Sequence, residues 1–149
     1  MQKRTDCPLN GYCITLNEGE ITGEAGLCVV IPCSFTTSSN FILRNIVWSK
    51  CEPRRNCKDS DVIFGTNNNR RFQPEFRGRV SLLEPDLSQK NCSIIINDVK
   101  ESDSGSYELR VLGSVNGRSD RFTYPLRATV SIKGMKSFNI YIYSQLLCL

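Results

Sequence analysis

The sequence predicts an all-β fold, two sheets packed face to face as a sandwich, and three observations carry this. Short segments with alternating apolar residues recur along the chain, separated by turn residues. One of them, residues 46–50, contains Trp48, the chain's only tryptophan, placed as the core indole of such a sandwich. Residues 103–110 read D-S-G-S-Y-E-L-R, a strand entry at which Tyr107 folds its hydroxyl back onto nearby backbone.

The elements follow in order. Residues 12–16 are expected as strand A. In 27–35, Leu27, Val29, Ile31, Cys33 and Phe35 share one face, giving strand B. Residues 46–50 fit strand C, 62–64 strand C′ and 79–83 strand D. Strand E is 92–96, with Cys92, Ile94 and Ile96 inward, and strand F is 106–112. Leu126, Ala128, Val130 and Ile132 alternate as strand G, and Gly113 to Asp120 is expected as the F–G hairpin. The roughly 60 residues between Trp48 and Tyr107 leave room for C′ and a further C″ strand. That spacing favours the nine-strand, variable-type (V-set) immunoglobulin-like sandwich over the seven-strand type. Arg79 and Asp103 are expected to pair across its base in a structural role. The predicted domain spans 12–134, with 1–11 as an N-terminal extension and 135–149 as a tail outside the sandwich.

The 149 residues support one domain, and a 40% hydrophobic content suffices for one core. The net charge of +4 is mild, and the pairs Arg54/Arg55 and Arg70/Arg71 have acids nearby. A solvated face is expected rather than nucleic-acid binding. No apolar leader follows the charged start, and the tail from Phe138 to Leu149 is too short to span a bilayer. The expectation is a fragment of a longer receptor, with no membrane insertion by this chain, located at the extracellular face of the plasma membrane or secreted.

The chain has eight cysteines and no histidine, with no close C-x-x-C pair to hold zinc. Disulfides and an oxidising compartment are expected instead, with no metal and no cofactor. Strand F carries Leu109 where a B–F bridge would need cysteine. Cys33 on strand B has its natural partner in Cys92 on neighbouring strand E, inward by parity. This intra-sheet bridge would restrain the unfolded chain by about 4 kcal/mol, less any strain. Cys28, an odd number of residues from Cys33, faces the other way. Cys51 and Cys57 bracket the C–C′ loop and suggest a local bridge. Cys7, Cys13, Cys28 and Cys148 are left with three possible connectivities. Asn91, Cys92 and Ser93 form an N-glycosylation acceptor that agrees with an extracellular setting.

Four motifs, in order, carry a resemblance: G-L-C-V-V-I-P-C-S-F (26–35), G-R-V-S-L-L (78–83), N-C-S-I-I-I (91–96) and D-S-G-S-Y-E-L-R (103–110). Over residues 12–134 the chain resembles the N-terminal V-set domain of the Siglecs, the sialic-acid-binding immunoglobulin-like lectins. The resemblance implies the Cys33–Cys92 bridge and a bond from Cys28 to a cysteine of a following domain. It also implies that Arg110, three residues after the corner tyrosine, binds the carboxylate of sialic acid. Independent of the family, burial of Tyr107, Leu109 and Val111 turns Arg110 outward, and a guanidinium binds a carboxylate through two parallel hydrogen bonds. The bland reading of Arg110 is an exposed arginine paired with Glu108 or Asp120.

The resemblance further implies an aromatic on strand G against the sugar, here Phe122 with Tyr124 second. Backbone near Thr123 would bind the glycerol and amide groups, and Tyr12 is the candidate second aromatic. The bland reading of these rings is packing. The C–C′ loop is expected as a basic, disulfide-braced rim of Arg54, Arg55 and Lys58. The leading function is thus a lectin domain binding sialylated glycoproteins or glycolipids. The alternative is a V-set receptor module binding a protein through the same sheet. An enzyme is not expected, for there is no histidine and no nucleophile motif.

Overall fold

The computed structural model describes residues 2–67, 73–134 and 148. The described strands are β1 (Lys3–Leu9), β2 (Tyr12–Asn17), β3 (Ile21–Glu24), β4 (Val29–Ile31), β5 (Ser34–Thr36), β6 (Phe41–Cys51), β7 (Val62–Gly65), β8 (Val80–Leu82), β9 (Ile94–Ile96), β10 (Gly105–Val115), β11 (Arg118–Thr123) and β12 (Ala128–Lys133). One layer is the path β3-β12-β10-β6-β7, with β11 also paired to β10. The other layer comprises β1-β2-β5 and β4-β9-β8, joined where Ser34 bridges Asn91. The all-β V-set sandwich is therefore as expected.

The expected strand B is present as two pieces. Pro32, which has no N–H to give a ladder, separates β4 from β5. Beside it the Cys33 amide donates to the Ser93 hydroxyl at 2.9 Å instead of to a neighbouring strand. The alternation still holds, with Leu27, Val29, Ile31, Cys33 and Phe35 all buried. Between the layers lie Trp48, Tyr107, Leu109, Ile94 and Ile96, all fully buried, around the Cys33–Cys92 disulfide. The Trp48 indole N–H donates to the Cys92 carbonyl at 3.0 Å, which removes the cost of burying that polar edge.

The base of the sandwich is tied as expected. The Tyr107 hydroxyl donates to the Asp103 carbonyl, and burial pushes the phenol's pKa up. Arg79 meets Asp103 through two hydrogen bonds, at 2.8 and 3.1 Å, and also donates to the Asn97 and Asp98 carbonyls. The bond to Asp103 holds the Arg79 guanidinium firmly protonated. Phe76, in a 3-10 turn at Pro74–Phe76, lies under Arg79 with 5.0 Å from ring centre to guanidinium carbon.

Several elements differ from the expectation. Residues 3–9 form β1, which runs antiparallel to β2 and is clasped to it by the Cys7–Cys13 disulfide. β3 is an additional strand, parallel to β12. Strand G is divided: β11 pairs with the far half of β10 and β12 with its start. The expected F–G hairpin at 113–120 is present and is mostly strand, because Asn116 and Gly117 both take positive φ (52° and 78°) in a two-residue turn. Among the described residues no strand lies between β7 and β8. Arg70, Arg71 and the tail residues Phe138 to Leu147 and Leu149 fall outside the description. Cys28 bonds to Cys148 rather than awaiting a following domain, and Cys51 bonds to Cys57 as expected.

Candidate carbohydrate site on the outer face of the large sheet

The site is built on β10. Its period of two sends Tyr107, Leu109 and Val111 into the core with no exposed surface, and so sends Arg110 to the outer face. The register across the hairpin sets Arg110 opposite Thr123. Arg110 Nε donates to the Thr123 hydroxyl at 3.1 Å, fixing the guanidinium along the sheet. Its Nη1 lies 3.7 Å from the carboxylate of Asp59, and only 14% of the arginine side chain is exposed. Neither acid expected as a partner holds it: Glu108 instead bonds Arg127 Nη2 at 2.9 Å, and Asp120 has no ion pair with it.

Asp59 arrives on the C–C′ loop, which folds back over the sheet. The Cys51–Cys57 disulfide closes this loop. Arg127, on the segment between β11 and β12, donates to the carbonyls of Glu52 (3.1 Å) and Arg55 (2.6 Å) and clamps it down. Within the loop Arg55 is held by Glu52 at 2.7 Å and by Asp61 at 3.2 Å. These bonds hold the Arg55 guanidinium protonated. Burial works against ionisation of Asp61, but the Lys58 amide and the Arg55 guanidinium outweigh it and draw the carboxyl below its ordinary range. Of the expected basic rim, Arg55 is neutralised by its own acids, while Arg54 and Lys58 are exposed, and the loop also brings the acid Asp59 to Arg110. Cys51, Cys57 and Asp61 lie close together, but the two sulfurs are bonded to each other and present no thiolate to a metal.

The aromatic residues sit elsewhere than expected. Phe122 pairs with Val111, so parity turns it to the core face, away from Arg110. It stacks on Tyr12 with ring centres 4.4 Å apart and meets Tyr124 edge-on at 5.0 Å. Tyr12 and Tyr124 are buried, and the Tyr124 hydroxyl donates to the Thr36 carbonyl. Burial raises the Tyr124 phenol's pKa. These three rings plug the gap between the layers under the F–G hairpin. Packing is what the structure assigns them, and Leu112, two residues beyond Arg110 on the same face, is the apolar neighbour there. The Asn91 acceptor is also built into the fold. Its side-chain oxygen receives the Ser93 amide at 2.9 Å, and the buried Ser93 hydroxyl is engaged with the Cys33 backbone.

The structure brings Arg110 and Thr123, both named from the sequence, together, and adds Asp59 and Arg127, which the sequence reading does not name. The Asn116–Gly117 pair was the usable signal for the hairpin. A two-residue turn there sets the register and turns Phe122 inward. Nothing local to Arg127 reveals its clamp, whose acceptors lie more than 70 residues away.

Residues 16–131 match the immunoglobulin V-set domain family, and the chain belongs to it. It is 36% identical over 112 residues to human sialic acid-binding Ig-like lectin 5, covering 70% of this chain and 18% of the relative. Human sialic acid-binding Ig-like lectin 8 is 34% identical over 109 residues, with 68% and 20% covered. Bovine immunoglobulin superfamily member 11 is 31% identical over 109 residues, with 69% and 24% covered. The resemblance to Siglec V-set domains is borne out by the two sialic acid-binding Ig-like lectins, and the chain spans about a fifth of the length of these three relatives. The fold is shared with murine CRIg (TM-score 0.57, 14% identity, 91% of this chain and 100% of that chain) and with Tim-1 (TM-score 0.52, 23% identity, 80% and 95%). The V-set is a receptor-like family, not an enzyme family. Among the described residues no helix is long and apolar enough to cross a membrane.

Proposed function

We propose that this domain is a lectin module that binds terminal sialic acid on glycoproteins or glycolipids at an extracellular surface. The observation that carries the reading is Arg110: a guanidinium turned to the outer face of β10 and anchored by Thr123. Anchoring through Nε leaves the two terminal nitrogens for a carboxylate, with Asp59 giving way to the incoming charge. Thr123 and the edge of β11 offer hydrogen bonds to the glycerol and amide groups, and Leu112 offers apolar contact in place of Phe122. No bond is made or broken; recognition is the whole activity.

The test is a sialoglycan array with wild type, Arg110→Lys and Arg110→Ala. Lysine keeps the charge but lacks the planar fork. Loss of one charge-assisted bond, about 1.5–3 kcal/mol, predicts binding weaker by roughly 10–150-fold. Equal binding by all three folded proteins, or wild-type cell binding that survives sialidase, sinks the proposal. A second reading, a V-set module for a protein partner, is favoured by the burial of Tyr12 and Tyr124 and by the packing of Phe122 against them, away from the outer face. It predicts cell binding that sialidase leaves intact.

A further inference from the structure

β1 leaves one edge of the smaller layer open. It ends the path β1-β2-β5, and among the described residues nothing pairs with its far side. It is exposed along its length, with only Asp6 half-buried. An edge of this kind presents a row of unpaired N–H and C=O groups, a template for another strand.

The register of the β1–β2 hairpin shows which groups point outward. The Glu18 amide donates to the Gln2 carbonyl at 3.1 Å, in line with the β1–β2 ladder. Alternation then turns the backbone groups of Gln2, Arg4 and Asp6 toward β2. Cys7 and Cys13 have Cα atoms 4.1 Å apart, the close spacing of a facing pair that exchanges no hydrogen bonds. The Cys13 amide donates the other way, to the Thr36 hydroxyl at 3.0 Å. Lys3, Thr5 and Cys7 therefore aim their N–H and C=O groups at the open edge, on a strand that the Cys7–Cys13 disulfide ties in place.

A second copy of β1 matches this edge in one register. Two identical strands pair antiparallel about a two-fold axis, the symmetry of most homodimers. Residues that aim outward must face residues that aim outward, so the axis passes beside a residue and not between two. Centred on Lys3, Arg4 or Asp6, the pairing sets like charges face to face, which is destabilising. Centred on Cys7, it draws Pro8, which has no N–H, into the ladder. Centred on Thr5, it sets Lys3 against Cys7, and Arg4 of each copy against Asp6 of the partner subunit. Those two charged pairs fall at the closely spaced positions without hydrogen bonds, where facing side chains approach most. Among the described residues neither the Arg4 nor the Asp6 side chain has a hydrogen bond or ion pair within the chain.

We propose that β1 is a self-recognition edge: two copies of the domain associate by antiparallel β1–β1 pairing centred on Thr5, which joins their smaller layers into one continuous sheet. The paired stretch is short, so the contact is weak and transient in solution and strengthens where copies are held at high local concentration. The inference does not depend on the sialic-acid reading, because Arg110 lies on the outer face of the opposite layer and stays uncovered.

The experiment is sedimentation and amide hydrogen exchange of the full chain over a concentration series. The samples are wild type, Arg4→Asp, Asp6→Arg and an equimolar mixture of the two variants. Wild type is expected to dimerise, and the Lys3, Thr5 and Cys7 amides to gain protection as concentration rises. The Arg4 and Asp6 amides, already bonded to β2, are expected to stay as they are. Each variant alone sets like charges across the axis and is expected to associate roughly tenfold more weakly than wild type. The mixture restores opposite charges at both positions and is expected to regain wild-type affinity as a heterodimer. Wild type that stays monomeric throughout overturns the proposal, as do single variants that associate as well as wild type or a mixture no tighter than its components. Concentration-dependent protection that appears elsewhere than at β1 overturns it without recourse to any variant.

Discussion

Replacing Asp59 by asparagine is expected to strengthen sialoside binding, because Asp59 is an internal carboxylate in the place where the ligand's carboxylate must go. The pair is 3.7 Å apart, and the Asp59 side chain is 82% exposed. At that distance two charges in water interact by about 1 kcal/mol. Exposed ion pairs measure about 0.2–1 kcal/mol once side-chain entropy and screening are included. Removing the competitor should therefore raise affinity by roughly 1.4–5-fold, with the larger value at low salt. Arg110 stays in position in the variant, because Thr123 holds its Nε independently of the loop. The assay is a titration with a methyl sialoside at low and high ionic strength, following the Arg110 and Thr123 amides by NMR. Affinity that is unchanged or lower in Asp59→Asn at low salt, while Arg110→Ala abolishes binding, would refute the competition argument.

Asp103→Ala should destabilise the domain by about 1.5–3 kcal/mol, since it removes the charge-assisted hydrogen bonds between Arg79 and the buried Asp103 carboxylate, and urea unfolding measures this directly. Gly113→Ala should be destabilising beyond the about 1–3 kcal/mol of ordinary overpacking, because the new Cβ meets the Ile42 backbone, which cannot rotate away; a melting temperature equal to wild type would contradict this close approach. The stability Asp61 lends to the C–C′ loop should be fully present above the ordinary aspartate range, near pH 4, and vanish as pH falls through its lowered folded value; amide exchange at Lys58 reports this, and Asp61→Asn should remove the dependence.

Much of the fold was legible because burial in a sandwich writes a period of two into the sequence. Cys33 and Cys92 could be paired by parity and strand adjacency, and Trp48, Tyr107, Arg79 and Asp103 by their places in the strand order. Errors concentrate where local pattern is silent or was under-read. Alternation at 126–132 marks only the later part of strand G, whereas the Asn116–Gly117 turn demands strand on both its sides. Phe122 was assigned to the sugar by likeness of a short motif, whereas register makes it a core ring. Net charge alone describes the C–C′ loop poorly, because Arg55 is consumed by neighbouring acids and the exposed Asp59 reaches Arg110.

What the sequence by itself determined is the direction of side chains. Alternation along residues 107–111 is a local property of extended backbone, so Arg110 had to face out once its neighbours were buried. What only the tertiary structure decided is company: Asp59 beside Arg110, Arg127 clamping the loop, Cys7 bonded to Cys13 and Cys28 to Cys148. Those contacts join residues whose separations carry no periodic signal. They form only when loop closure and cross-strand register are satisfied together, and no single segment encodes that sum.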